Sequence, residues 1–171
     1  LNQFFFKDLG FVGNVNHYHD PDNSYLHVVL RTRRGIPVSL AVLWLELAQG
    51  LRLKAHGVNF PGHFLVKVNL PAGQVVIDPF SGESLSREAL SEMLEPYRRR
   101  TGLADGEEVP LGLYLQAATP REILARMLRN LAPFADVEIL EQHFRDKPEV
   151  SGTARKIAQT LCCWPRSPWT T

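Results

Sequence analysis

One segment limits the folds open to this chain more than any other. Residues 37–50 read Pro-Val-Ser-Leu-Ala-Val-Leu-Trp-Leu-Glu-Leu-Ala-Gln-Gly. Leu40, Leu43, Trp44, Leu47 and Leu51 recur at helical spacing, and the remaining positions are mostly apolar as well. A helix that is apolar nearly all round has no face to give to water, so it belongs at the centre of a domain. Pro37 suits the first turn, where its missing N–H costs nothing, and Gly50 suits the end. The rest of the chain must therefore wrap this helix.

Two strand patterns follow it. Residues 63–70 alternate in part, 74–78 form a second β-rich run, and Pro71-Ala72-Gly73 between them reads as a hairpin loop. A shorter strand is expected near 54–60. Before the helix, Phe4, Phe5, Phe6 and Phe11 are apolar anchors, and residues 13–23 are dense in turn formers. Asp22 or Asn23 is expected to cap a short helix starting near Ser24, with Leu26, Val29 and Leu30 on one face. Gly35 is expected to close it as a C′ residue with positive φ. After the strands, a helix should open at Ser86 and run to about Arg100, followed by a polar loop over 101–112. Thr119-Pro120-Arg121-Glu122 then signals a helix carrying Ile123, Leu124, Met127, Leu128 and Leu131 on one face. A further amphipathic helix is expected at 137–145, with an irregular end from Cys162 onward.

Composition excludes several classes. With 19 Lys and Arg against 18 Asp and Glu, the 171 residues carry a formal charge of +1, without the basic excess of a general nucleic-acid binder. The most apolar stretch, Val38 to Leu45, falls far short of the roughly 20 residues that span a bilayer, so no membrane association is expected. The two cysteines, Cys162 and Cys163, are adjacent and poorly placed to bridge each other. Their scarcity suits a reducing compartment, and a cytoplasmic location is expected.

Three short features fall in a chemically sensible order: Ser39 in the first turn of the central helix, His63 where a strand begins, and Asp78 where the next strand ends. The hairpin brings His63 and Asp78 to the same end of the sheet. A carboxylate beside a histidine fixes its tautomer and stabilises its charged form. A nucleophile at a helix start gains from unpaired N–H groups. Each residue also has a bland reading. Ser39 is a common kind of first-turn residue, His63 alone would be a hydrogen-bonded, partly buried histidine, and Asp78 could cap its Asp-Pro turn. His17, His19 and Asp20 invite a metal reading, but a specific site needs more ligands; no metal and no organic cofactor is expected. Tyr18, Asp20, Asn23 and Ser24 are expected to tie the preceding loop to the helix start and to line a cleft, with Gly62 beside it. The arginines at 31, 33 and 34 and at 98–100 read as solvated helix ends, with an acidic partner as the sharper option.

Taken together, Leu9-Gly10-Phe11-Val12-Gly13-Asn14, Tyr18-His19-Asp20-Pro21-Asp22-Asn23-Ser24-Tyr25-Leu26, Arg33-Arg34-Gly35-Ile36-Pro37-Val38-Ser39-Leu40, Phe60-Pro61-Gly62-His63-Phe64 and Ile77-Asp78-Pro79-Phe80 resemble the transglutaminase-like core of bacterial SirB-type proteins, in which a tetratricopeptide-like tail often follows. The resemblance implies an α+β, papain-like fold with a central helix packed on an antiparallel sheet. It covers residues 1–131, leaving 132–171 as a divergent or truncated helical tail without the tetratricopeptide signature. In active relatives cysteine, histidine and aspartate carry acyl transfer or peptide hydrolysis. Here His63 and Asp78 match the last two, and Ser39 stands where the cysteine is expected. A serine hydroxyl is far less acidic than a thiol, whose reference pKa is about 8.5, so the exchange points away from cysteine-type catalysis. The expected function is a non-catalytic module that binds a protein or peptide partner, regulates or scaffolds. The alternatives are a hydrolase or acyltransferase using Ser39, His63 and Asp78, and a structural support for a missing helical-repeat region.

Overall fold

The computed structural model describes residues 1–101 and 110–131; the expected helix at 137–145 and the two cysteines lie outside them. The chain divides into two compact units, Leu1–Met127 and Leu128–Thr171. Of the second unit, the described residues are the end of a helix that begins in the first.

Six strands and five α-helices are formed by the described residues. Val12–Gly13 (β1) pairs in parallel with Arg34–Gly35 (β2). Ala55–Val58 (β3), Leu65–Leu70 (β4), Gly73–Ile77 (β5) and Ser84–Leu85 (β6) form an antiparallel sheet in sequence order. The helices are Leu26–Thr32 (α1), Pro37–Gly50 (α2), Arg87–Thr101 (α3), Leu111–Tyr114 (α4) and Pro120–Leu131 (α5). Runs of helices and a separate antiparallel sheet make this an α+β domain, as the resemblance implies. Among the described residues no helix is long and apolar enough to cross a membrane.

The sheet is covered on both faces, which is why β4 alternates only in part. Val66 and Val68 of β4 and Ile77 of β5 join Leu40, Ala41, Trp44 and Ala48 of α2 in one core. Leu65 of β4 and Val76 of β5 point the other way and pack with Leu90 and Leu94 of α3. Strand side chains change face at every residue, so a strand covered on both sides is apolar at consecutive positions. Phe5 and Phe11 stack at 4.3 Å and close the α2 side.

α2 runs as its composition dictates, from Pro37 in the first turn to Gly50. Its burial is not uniform. Residues 37–41 are all buried, whereas Leu47 is 37% exposed and only Trp44 and Ala48 remain buried toward the end. The helix enters the centre of the domain and leaves it amphipathic.

Three local expectations are corrected. α1 buries Val28 and Val29, while Leu30 is exposed. A 3₁₀ turn at Pro21–Ser24 precedes it, and the capping side chain there is Asp20, which accepts from the Asp22 N–H at 2.9 Å. The left-handed residue closing α1 is Arg33, at φ 59°, not Gly35. Gly35 is needed for closeness instead, because a Cβ there would lie 2.7 Å from Ser39 Oγ and 3.1 Å from Val29 Cγ1. The later helix starts behave as written. Ser86 Oγ accepts from the Ala89 N–H, and Thr119 and Glu122 hold a reciprocal box, with Glu122 Oε2 accepting from the Thr119 N–H at 2.7 Å. On α5, Ile123 and Met127 pack against the core, but Leu124 is exposed.

Candidate functional site

The β4–β5 hairpin pairs Val66 with Ile77 and Leu70 with Gly73. That register sets His63, just before β4, beside Asp78, just after β5. Their side chains meet, with His63 Nε2 at 2.8 Å from Asp78 Oδ1.

Both partners are fixed by their local turns. In Phe60-Pro61-Gly62-His63, the His63 N–H donates to the Phe60 carbonyl at 3.0 Å and Gly62 has φ +72°. Proline second and left-handed glycine third are the requirements of a type II turn. Asp78 Oδ1 also accepts the Phe80 N–H at 2.8 Å. The Asp78 backbone closes the 78–83 loop through Glu83 and Gly82. The N-terminal segment braces that loop, with Asn2 Nδ2 donating to the Gly82 carbonyl at 2.6 Å and the Phe6 ring lying against Gly82.

Burial pushes the Asp78 carboxyl up. The hydrogen bond and charge of His63, the Phe80 N–H and the Ser81 hydroxyl together outweigh it and hold the carboxyl below its ordinary value. Asp78 is thus an ionised acceptor at neutral pH, and the shared proton sits on His63 Nε2. Nδ1 of the ring has no hydrogen-bond partner among the described residues and is not one of the buried unpaired atoms. The side chains are 20% and 17% exposed, so the pair sits at a surface rather than in the core.

Tyr18 walls this surface. Its ring stands edge-on to Phe80 at 5.7 Å, and Gly13 lies so close under the Phe80 ring that a Cβ would collide with it. Burial raises the Tyr18 pKa; the charge of Arg126 lowers it and that of Asp78 raises it, leaving a net rise. The loop bearing Tyr18 is held by buried Asn23, whose Nδ2 donates to the His17 and Tyr18 carbonyls at 2.6 and 3.1 Å, while its Oδ1 accepts from Asn14. Asp20 caps the next turn, and Ser24 is buried at its end. Among the described residues, which include His17 and His19, no group of three or more His, Cys, Asp or Glu could hold a metal ion.

Ser39 lies in a different setting. It is 0% exposed. Its hydroxyl donates to the Ile36 carbonyl at 3.0 Å and accepts from the Ile36 N–H at 3.1 Å. Isoleucine cannot cap a helix, so Ser39 reaches back and satisfies the amide left unpaired at the helix start. The structure therefore joins His63 to Asp78 and gives Ser39 bonds to Ile36. Of the arginines in the two clusters, Arg33 lies over Phe11 at 4.8 Å, and Arg98 and Arg99 both reach Glu95 at 3.7 Å. Sequence reasoning gave no role to Phe80, Asn14 or Gly13. The signal for Phe80 was its place two residues after Asp78, where an aspartate accepts the backbone N–H of an Asx turn.

A family model described as the transglutaminase-like superfamily matches residues 1–129. The chain is similar to a UPF0162 protein of Xylella fastidiosa, 43% identical over 136 residues, which is 77% of this chain and 46% of that protein. It is similar to a UPF0162 protein of Pseudomonas aeruginosa, 38% identical over 111 residues, 65% of this chain and 38% of that one. It is also similar to F-box only protein 21 of Homo sapiens, 29% identical over 145 residues, 85% of this chain and 23% of that protein. The chain thus spans less than half the length of these relatives. No solved structure matches it.

Proposed function

We propose that this chain, which belongs to the transglutaminase-like superfamily, uses that domain as a non-catalytic module that binds a protein segment and serves a regulatory or scaffold role. One observation carries the reading. The hydroxyl at the position where a nucleophile is expected is fully buried, and both its donor and an acceptor lone pair are engaged by Ile36. A serine nucleophile must be within reach of a base and of the carbonyl it attacks, whereas the hydrogen bonds of the buried Ser39 hydroxyl run to Ile36. His63 and Asp78 remain as a surface pair that serves recognition.

The same domain is similar to parts of two kinds of longer protein, and in F-box only protein 21 the likeness covers 23% of the chain, which suits a module working within larger proteins. On this proposal residues 1–131 form the module, of the bacterial SirB type, and residues 132–171 a divergent or truncated helical tail. The setting is cytoplasmic, the partner is a protein or peptide, and no cofactor takes part. The second reading, a hydrolase or acyltransferase of peptide or amide bonds through Ser39, His63 and Asp78, is favoured by the 2.8 Å His63–Asp78 bond alone. The third, support for a helical-repeat region, draws on the chain's short span relative to its relatives.

A serine-directed fluorophosphonate probe separates the first two. The folded, monodisperse protein is expected to remain unlabelled under conditions that label a serine hydrolase to completion. Labelling that disappears in Ser39→Ala would establish the enzyme reading instead.

A further inference from the structure

Asp78 meets His63 from the start of a loop that is gripped by the beginning of the chain. Within the loop, the Gly82 N–H donates to the Asp78 carbonyl at 2.8 Å and the Asp78 N–H to the Glu83 carbonyl at 2.9 Å. From outside, Asn2 Nδ2 donates to the Gly82 carbonyl at 2.6 Å. The Phe6 ring lies so near Gly82, which has φ +79°, that a Cβ there would come within 2.8 Å of it. Gly13 holds the middle of the loop, its N–H donating to the Phe80 carbonyl at 3.1 Å. Between Asn2 and Phe6, Phe5 is 0% exposed and stacks on Phe11 at 4.3 Å, so the grip is rooted in the core. The turn Phe4–Asp8 closes through a bond from the Leu9 N–H to the Phe4 carbonyl at 2.8 Å. That i→i+5 form is rare in proteins and frequent at functional sites.

Asn2 adds little to global stability. Its Nδ2 gains one bond, while its Oδ1 is buried with no hydrogen-bond partner among the described residues. A bond gained and a bond forfeited largely offset each other. What the side chain does fix is the place of one loop carbonyl. We propose that Asn2 and Phe6 are positioning residues for the His63–Asp78 pair: by gripping Gly82 they hold the 78–83 loop in the arrangement that sets Asp78 Oδ1 between His63 Nε2 and the Phe80 N–H. The loop itself supplies two of the groups that keep the carboxylate ionised, the Phe80 N–H at 2.8 Å and the Ser81 hydroxyl, so loosening Gly82 loosens both. The assignment concerns how the pair is held and stands apart from the binding-module reading.

Amide hydrogen exchange and carboxyl ¹³C titration of the full chain test the assignment. In Asn2→Ala, exchange at the Phe80 and Gly82 amides is expected to rise about tenfold over wild type. The Asp78 carboxyl is expected to titrate at higher pH, nearer its ordinary value. The Leu40 amide, bonded to the Ile36 carbonyl at the start of α2, and the Tm are expected to stay as in wild type. Gln3→Ala, at the exposed neighbouring position, should leave every reading unchanged. Gly82→Ala, which forces the Phe6 ring away, should move the Asp78 titration in the same direction as Asn2→Ala. If Phe80 exchange and the Asp78 titration are unchanged in Asn2→Ala, the positioning role is overturned. It is equally overturned if Leu40 exchange rises and Tm falls in step with them, since Asn2 then acts on the whole domain. Either result leaves the binding-module reading to the fluorophosphonate probe.

Discussion

Ser39 and His63 stand at the two positions where catalytic residues are expected, and the fold has treated them in opposite ways. Ser39 is sealed in the first turn of α2, its hydroxyl closing a hydrogen-bond loop with both polar groups of Ile36. His63 stands on a turn at the rim of the sheet, its Nε2 held by Asp78 and its side chain 20% exposed. The first corner is satisfied within itself and gives stability. The second holds its polar pair at a part-exposed position, where the proposed function places recognition. Ser39 thus belongs to packing, and His63 to the surface.

That division can be broken most forcefully at the sealed corner. Gly35→Ala would drive a Cβ to 2.7 Å from Ser39 Oγ and 3.2 Å from Leu40 Cγ, and should lower stability by about 3 kcal/mol in urea unfolding. Adding Ser39→Ala to Gly35→Ala should recover about 1 kcal/mol of the additive sum, since the two share one contact; strict additivity would mean that the corner is looser than described. Ser39→Ala alone leaves the buried Ile36 N–H without its side-chain acceptor and should cost about 2 kcal/mol.

At the open corner the effects on stability should be smaller and should depend on pH. Asp78→Asn should cost about 1.5 kcal/mol near neutrality. The Asp78 carboxyl is held below its ordinary value in the folded chain. Its contribution is therefore present above the unfolded value of about 3.9 and is lost as pH falls through the lower folded value. The Tm gap between wild type and Asp78→Asn should accordingly narrow on acidification; a gap that widens would mean that the pair is not held as an ionised carboxylate beside a donor. His63→Gln should be the mildest change, about 0.5 kcal/mol in stability, with its main effect on binding.

Much of this was legible beforehand because it is local. The α2 boundaries follow from Pro37 and Gly50, and the hairpin and its strand ends follow from alternation around Pro71-Ala72-Gly73. The meeting of His63 and Asp78 follows from the hairpin register. The Thr119–Glu122 box is written in adjacent residues. What sequence could not resolve depends on neighbours distant along the chain. Gly35 looks like a helix terminator until Val29 and Ser39 are seen to crowd it. Leu30 looks like a core residue until Val28 and Val29 are seen to take the inward face. The Tyr18–Phe80 wall depends on Gly13 admitting the Phe80 ring, and neither residue signals that alone.

The bracing of the 78–83 loop by the start of the chain has a consequence for the order of assembly. His63 and Asp78 are 15 residues apart and close a short hairpin, whereas Asn2 and Gly82, whose contact steadies the same loop, are 80 apart. Closing the longer loop costs more chain entropy and forms more slowly. The His63–Asp78 contact is thus encoded locally by the hairpin, and the brace on the 78–83 loop is added when the N-terminal segment docks. The loop that carries Asp78 is steadied last, at the moment the chain's beginning finds its middle.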